Sequence, residues 1–184
     1  KDYTDVNLIV SHLGGGISVA AHRKGRVIDV NNALSGDGPF SPERSGGLPS
    51  MPFLELCFSG KYTKAELKKM LKGKGGVMAY LGTNDMRIVE NKAQQGGKKE
   101  AEIQEALGYQ ISKEVAQCGA VLKGEVDAIV MTGGLAFNPH LMGYVKERVE
   151  WIAPVKLYPG EEELESLALG GLRVLRKEEE LLEY

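Results

Sequence analysis

The sequence predicts an α/β domain built on one mixed sheet, and three observations carry that prediction. Three short apolar strand signals follow one another near the start, joined by tight turns; one long helix signal follows an irregular stretch; the last third then alternates strand, helix, strand, helix. Tight turns give antiparallel neighbours, whereas a strand–helix–strand crossover favours parallel pairing. Both kinds of connection in one chain call for a mixed sheet with helices on both faces.

Each element has its own warrant. Residues 7–11, NLIVS, are apolar and β-branched enough for a central strand, residues 17–21 alternate ahead of a turn at 23–25, and residues 27–30 continue as a third strand. From residue 31 to about 60 the chain is rich in Gly, Pro and Ser without a period, and it reads as a long loop. Residues 63–72 form a short helix, with Thr63 as cap and Glu66 at the reciprocal capping position, ending at Gly73. The stretch GTNDMRIVENKAQQGG contains another short helix. Over residues 100–122 Ile103, Leu107, Ile111, Val115 and Leu122 fall on one stripe at helical spacing. Residues 126–131, VDAIVM, form a buried strand; Asn138 then caps a helix with Pro139 in its first turn. APVKLY is the last strand, and a last helix carries Leu164, Leu167, Leu172 and Leu175 as its inner stripe. This order is that of a ribonuclease H-like domain with a partly helical insertion, about residues 31–100, after the third strand.

Composition limits the function. The chain has 184 residues, 42% of them hydrophobic, and a net charge of −2, so it lacks the basic excess of a nucleic-acid partner. No apolar run approaches the roughly 20 residues that span a bilayer, and no secretory leader pattern opens the chain. Cys57 and Cys118 stand alone, which fits a reducing cytoplasm better than a disulfide framework or a metal pair. An apolar strand begins within seven residues of the start, so the chain is expected to be a piece of a longer polypeptide.

The chemistry is expected at two glycine-rich exits. HLGGG, residues 12–16, ends the first strand, and three adjacent glycines call for positive φ angles or for close approach of another group to the backbone. A phosphate meets that requirement, because turn amides converge on an anion; a hairpin turn whose glycines serve geometry alone meets it too. MTGGLAFNP leaves a second strand through Gly133 and Gly134. Ligands gather beyond strand ends in α/β sheets, and two such exits favour one elongated ligand such as a nucleotide. A dinucleotide-binding fingerprint is excluded, since the first turn leads into a strand where that fingerprint needs a helix.

The segments HLGGGISVAAHRKGRVIDVNNALSGDGPFSPERSGGLP, GTNDMR, MTGGLAFNP and PGEEELESLALGG resemble the C-terminal half of the acetate and butyrate kinase family, in the actin-like ATPase superfamily, from Asn7 to about Leu175. The resemblance implies that residues 1–184 are a nucleotide-binding C-terminal domain and that the family's N-terminal domain is absent. It places His12, Leu13, Gly14, Gly15 and Gly16 at nucleotide phosphates, with Gly where acetate kinases commonly carry Asn. Arg44, within PERSGG, becomes the catalytic candidate, against the plainer reading of a surface arginine: a guanidinium offers a planar fork of donors to a transferring phosphoryl group. Asp85, Met86 and Arg87 fall on a segment that approaches the adenosine, although Asp85 equally suits a helix cap. Gly133, Gly134, Leu135, Ala136, Phe137 and Asn138 match the second nucleotide loop, with Ala136 and Phe137 in place of the Gly and Glu usual in acetate kinases. Glu162 is the position expected to hold Mg²⁺, its neighbours Glu161 and Glu163 differing by one register step; all three also suit the start of a helix. Gly170 and Gly171 are expected to pack closely against a nucleotide loop.

The activity implied is transfer of the ATP γ-phosphoryl group to butyrate or a similar short-chain fatty acid, giving an acyl phosphate and ADP. Implied partners are ATP or ADP with Mg²⁺, the carboxylate or acyl phosphate, the missing N-terminal half and further copies of the same chain, in the cytoplasm and without nucleic acid or membrane. The isolated chain is expected to be inactive. The competing reading is a nucleotide-binding or subunit-assembly module without catalysis.

Overall fold

The computed structural model describes residues 1–34, 36–160 and 163–180. Five strands, β1 (Asn7–Leu13), β2 (Ile17–Arg23), β3 (Arg26–Val30), β4 (Ala128–Gly133) and β5 (Val155–Pro159), form one sheet in the order β3-β2-β1-β4-β5. β1 pairs antiparallel with β2 and parallel with β4; β2 and β3 are antiparallel, β4 and β5 parallel. The meander and the crossover therefore join between β1 and β4. That join sets the site. Because these two strands run the same way side by side, their glycine exits leave the sheet along one edge.

The helices are α1 (Ser50–Phe58), α2 (Lys64–Leu71), α3 (Gly76–Leu81), α4 (Met86–Gln94), α5 (Lys98–Val121), α6 (Pro139–Val149) and α7 (Glu163–Leu175). Side chains on one sheet face, among them Ile9, Leu13, Ile17, Val19, Ile129 and Met131, are buried against Leu107, Ile111 and Val115 of α5 and Leu141, Val145 and Val149 of α6. At about 1.5–3 kcal/mol for each such side chain removed from water, this layer supplies most of the fold's apolar stabilisation. The alternate residues Leu8, Val10, Ala20 and Val130 point to the other face and are only half-buried.

Within the insertion α2 forms as expected. Thr63 Oγ1 accepts from Glu66 N at 3.3 Å and Glu66 Oε2 accepts from Thr63 N at 2.7 Å. The expected loop of residues 31–60 is corrected by α1, which starts after Pro49 without a side-chain cap and contains no buried residue. Pro52 in its first turn is compatible with a helix, yet the glycine- and serine-rich flanks hid it. α3 was also illegible, being six residues between Gly75 and a left-handed Gly82 at φ +70°.

α7 lies where a helix was expected, but its leucines do not form an inner stripe here: Leu164 is 85%, Leu167 66% and Leu175 80% exposed. Helical spacing shows that a helix has an apolar side without saying what covers it. Nor do its glycines pack against a nucleotide loop. A Cβ on Gly171 would meet nothing within 4 Å, and one on Gly170 only the end of Arg173.

Candidate functional site

At the end of β1 the chain bends within three residues, Gly14 N donating to Gly16 O at 3.1 Å. What comes close to these glycines is in part the protein itself. A Cβ on Gly16 would fall inside the Arg44 guanidinium, so the absence of a side chain there lets the arginine lie on the turn. Gly15 is different, exposed and with only the Glu43 carboxylate 3.8 Å from its Cβ position.

The segment carrying Arg44 is stitched to the connection between α2 and α3. Ser41 N donates to Arg44 O at 3.0 Å, Ser45 N to Leu71 O at 3.0 Å, Gly73 N to Glu43 O at 2.8 Å and Val77 N to Ser41 O at 3.0 Å. These backbone bonds give a segment without regular structure the rigidity of a ladder. Arg44 Nη1 donates to Ala33 O at 3.0 Å, while its buried Nε has no partner among the described residues. Ala33 O thus takes one of the five N–H donors of the guanidinium.

At the end of β4, Gly133 adopts φ +91°, and its Cβ position lies 2.6 Å from Leu13 O. Its missing side chain serves the β1–β4 contact. Gly134 opens a short 3-10 turn (Gly134–Phe137), is exposed and has nothing within 4 Å of its Cβ position. Asn138 Oδ1 accepts from Leu141 N at 2.9 Å and caps α6, as its place before Pro139 predicts.

Asp85 caps α4, its Oδ1 accepting from Arg87 N at 3.0 Å, and its carboxylate also takes Arg87 Nε at 3.0 Å and Nη2 at 2.7 Å. The Arg87 side-chain and backbone donors hold the Asp85 carboxyl down from its ordinary 3.8 to about 2. A carboxyl whose folded pKa is depressed stabilises the fold above its ordinary value and loses that effect as the pH falls towards the depressed one. Asp85→Asn is therefore expected to lower the melting temperature at neutral pH. The gap between variant and parent should close between pH 4 and about 2; a gap that persists at the acid end would contradict this capping role.

These pieces meet in an open cleft of about 330 Å³. Its wall takes Gly14 and Gly15 from the β1 exit, Asp85, Met86 and Arg87 from α4, and Gly134 and Leu135 from the β4 exit; Pro42, Glu43 and Asn84 complete it. Seven of the residues singled out in the sequence, from three distant segments, thus share one cavity. Arg44 directly follows two wall residues and lies on Gly16. Of the others, Leu13 and Ala136 are buried in the core, His12 is half-buried, Phe137 is exposed and Gly133 abuts Leu13. Glu162 lies outside the described residues. Sequence reasoning missed Ser41, Glu43 and Asn84. For Ser41 a signal existed: Ser before Pro starts a turn whose hydroxyl caps an N–H further along, and Arg44 N does donate to Ser41 Oγ at 3.1 Å.

Chemically the cleft combines turn amides, the N-terminus of a nine-residue helix, the Arg44 guanidinium beside it on Gly16, and two carboxylates. The first three favour an anion. Among the described residues no group of three or more His, Cys, Asp or Glu side chains could hold a metal alone. Glu43, with Asp85 engaged by Arg87, is a hard oxygen donor suited to an Mg²⁺ ion whose other ligands are phosphate oxygens and water.

A model of the acetokinase family matches residues 1–152. Butyrate kinase 1 of Clostridium acetobutylicum is 56% identical over all 184 residues, which are 52% of its own length. A probable butyrate kinase of Listeria monocytogenes is 55% identical over the same span, again 52% of its length. The chain spans about half the length of the curated relatives it matches. Among solved structures, the acetate kinase of Porphyromonas gingivalis superposes on 95% of the chain and 50% of its own with a TM-score of 0.85 at 23% identity, a likeness of fold. A propionate kinase of Francisella tularensis covers 86% of this chain and 47% of its own, with a TM-score of 0.77 and 25% identity.

Proposed function

We propose, from the premise that the chain belongs to the acetokinase family, that it is the nucleotide-binding part of a carboxylate kinase. The kinase transfers the γ-phosphoryl group of ATP to butyrate or a similar short-chain fatty acid. The observation that carries this reading is the convergence of Gly14, Gly15, Asp85, Arg87 and Gly134 on one cleft next to Arg44.

In the forward direction a carboxylate oxygen of the acid attacks the γ-phosphorus, the new C(=O)O–P bond forms as the β,γ-bridging P–O bond breaks, and ADP leaves with that bridging oxygen. No proton needs to be removed from the nucleophile. Catalysis is therefore positioning and charge neutralisation. Amides of the β1-exit turn, with His12 beside it, bind phosphate oxygens; the 3-10 turn and the start of α4 border the nucleoside; Arg44 supports the charge spread over the phosphoryl group in flight. Mg²⁺ carried by the nucleotide offsets phosphate charge, with Glu43 on the described wall and Glu162 as the positions to hold it.

The other half of the kinase supplies the opposite wall and much of the acyl site. Apolar surface that the chain leaves uncovered, Met51, Leu54 and Phe58 of α1 and the leucines of α7, supports contacts with that half and with further copies of the chain. Among the described residues no helix is long and apolar enough to cross a membrane, and we place the enzyme in the cytoplasm.

The test uses two proteins. By calorimetry the 184 residues alone should bind ATP and, given butyrate, yield no butyryl phosphate. Placed behind the N-terminal half of the Clostridium butyrate kinase 1, the chain should regain butyrate-dependent ADP release. ATP binding with no activity in that full-length protein would favour the non-catalytic module instead.

A further inference from the structure

We infer that Ser41 is a positioning residue that sets the distance between the phosphate turn and Arg44. The inference rests on the reading above, in which that turn holds phosphates and Arg44 is catalytic.

Ser41 is 1% exposed, and both functions of its hydroxyl are used. Its Oγ donates to Gly15 O at 2.6 Å and accepts from Arg44 N at 3.1 Å. A hydroxyl has a single proton to give, and here it goes to the glycine turn. The planar trans peptide makes the consequence definite: the Gly15 carbonyl and the Gly16 N–H lie on opposite sides of the same unit. Holding Gly15 O towards Ser41 turns the Gly16 N–H away from it. One hydroxyl thereby orients a donor of the turn and anchors the backbone of Arg44.

The far end of the arginine meets the same turn, since its guanidinium lies where a Gly16 side chain would be. Arg44 is thus registered to residues 15 and 16 at both ends, through Ser41 at its N–H and by contact at its tip. Ser41 is itself fixed, its N–H on Arg44 O and its carbonyl on Val77 N. In Ser41→Ala the Gly15 carbonyl and the Arg44 N–H both lose their partner. The turn and the arginine are then free to shift independently, while the ladder between residues 41–45 and 71–78 remains.

The experiment uses the full-length protein in which this chain follows the N-terminal half of the Clostridium butyrate kinase 1. Ser41→Ala is expected to lower kcat by about tenfold to a hundredfold while the KM for ATP stays within about threefold, as for a group felt mainly in the transition state. Ser41→Thr, which keeps the hydroxyl, is expected to recover most of the loss. The decisive readout is coupling. If Ser41 acts mainly through Arg44, removing the serine from Arg44→Ala costs much less than removing it from the parent, the small remainder reporting the turn's own donor.

Rates are measured well below each variant's melting temperature, so that a smaller folded fraction does not imitate the effect. An unchanged kcat in Ser41→Ala, with Arg44→Ala severely impaired, overturns this proposal and leaves the kinase reading standing. Additive losses in the double variant, or a loss that disappears once folded protein is counted, also overturn it, because they mark a merely structural serine. A harmless Arg44→Ala overturns the reading of the site itself, and this inference with it.

Discussion

Arg44→Ala in the full-length kinase is expected to reduce kcat by about 10³- to 10⁵-fold, the range over which arginines facing a transferring phosphoryl group act. Affinity for ATP should change far less. The guanidinium Nη1 is engaged by Ala33 O, its Nε is buried without a described partner, and the group lies against the turn proposed to hold phosphates. A guanidinium has five N–H donors, of which Ala33 O takes one, and the equatorial oxygens of the phosphoryl group in flight are acceptors for those at its tip. Arg44→Lys should restore little. An ammonium keeps the charge but not the planar fork, and its shorter reach cannot serve Ala33 O and a phosphoryl oxygen together. Single-turnover rates with saturating ATP are the measurement, and an Arg44→Ala enzyme within tenfold of the parent would remove Arg44 from the mechanism.

Element order and the position of the cleft at the glycine exits were legible in the sequence because both follow from local signals, whereas the order of strands in the sheet is set by long-range pairing. Apolar, β-branched composition located β1 and β4, alternation located β2, the Asn–Pro pair located the start of α6, and the glycine exits pointed to the edge where β1 and β4 end side by side. Less was legible where the deciding partner is remote. α1 contains no fully buried residue, so no apolar periodicity marked it, and the α7 stripe gave no hint that it would stand uncovered. The glycines show the limit most clearly. Gly14, Gly15, Gly16, Gly133 and Gly134 read alike as places where something approaches the backbone. In the structure that something is Arg44 at Gly16 and the Leu13 backbone at Gly133, while Gly15 and Gly134 face open space at the cleft. Sequence identifies a residue without a side chain; only the fold tells whether the room is taken by the protein or left for a ligand.

Two neighbouring substitutions turn that distinction into a measurement. Gly133→Ala is expected to destabilise the chain by about 3 kcal/mol or more, since it adds an L side chain at a positive φ to a backbone collision. Its Cβ would stand 2.6 Å from Leu13 O, 2.7 Å from Leu13 C and 2.8 Å from Leu13 N, and a central strand cannot move aside as a flexible side chain can. Relief requires parting β1 from β4, where the two halves of the sheet join, so the loss should appear as a lower melting temperature with or without nucleotide. Gly134→Ala, one residue on, should leave stability within about 0.5 kcal/mol, as an exposed substitution with no neighbour to disturb. Its methyl group would instead enter the cleft beside Leu135, where backbone and nucleotide are proposed to meet, and calorimetry should show weaker ATP binding by an intact fold. Reversal of the two results, with Gly133→Ala stable and Gly134→Ala binding ATP normally, would mean that the second exit does not border the nucleotide.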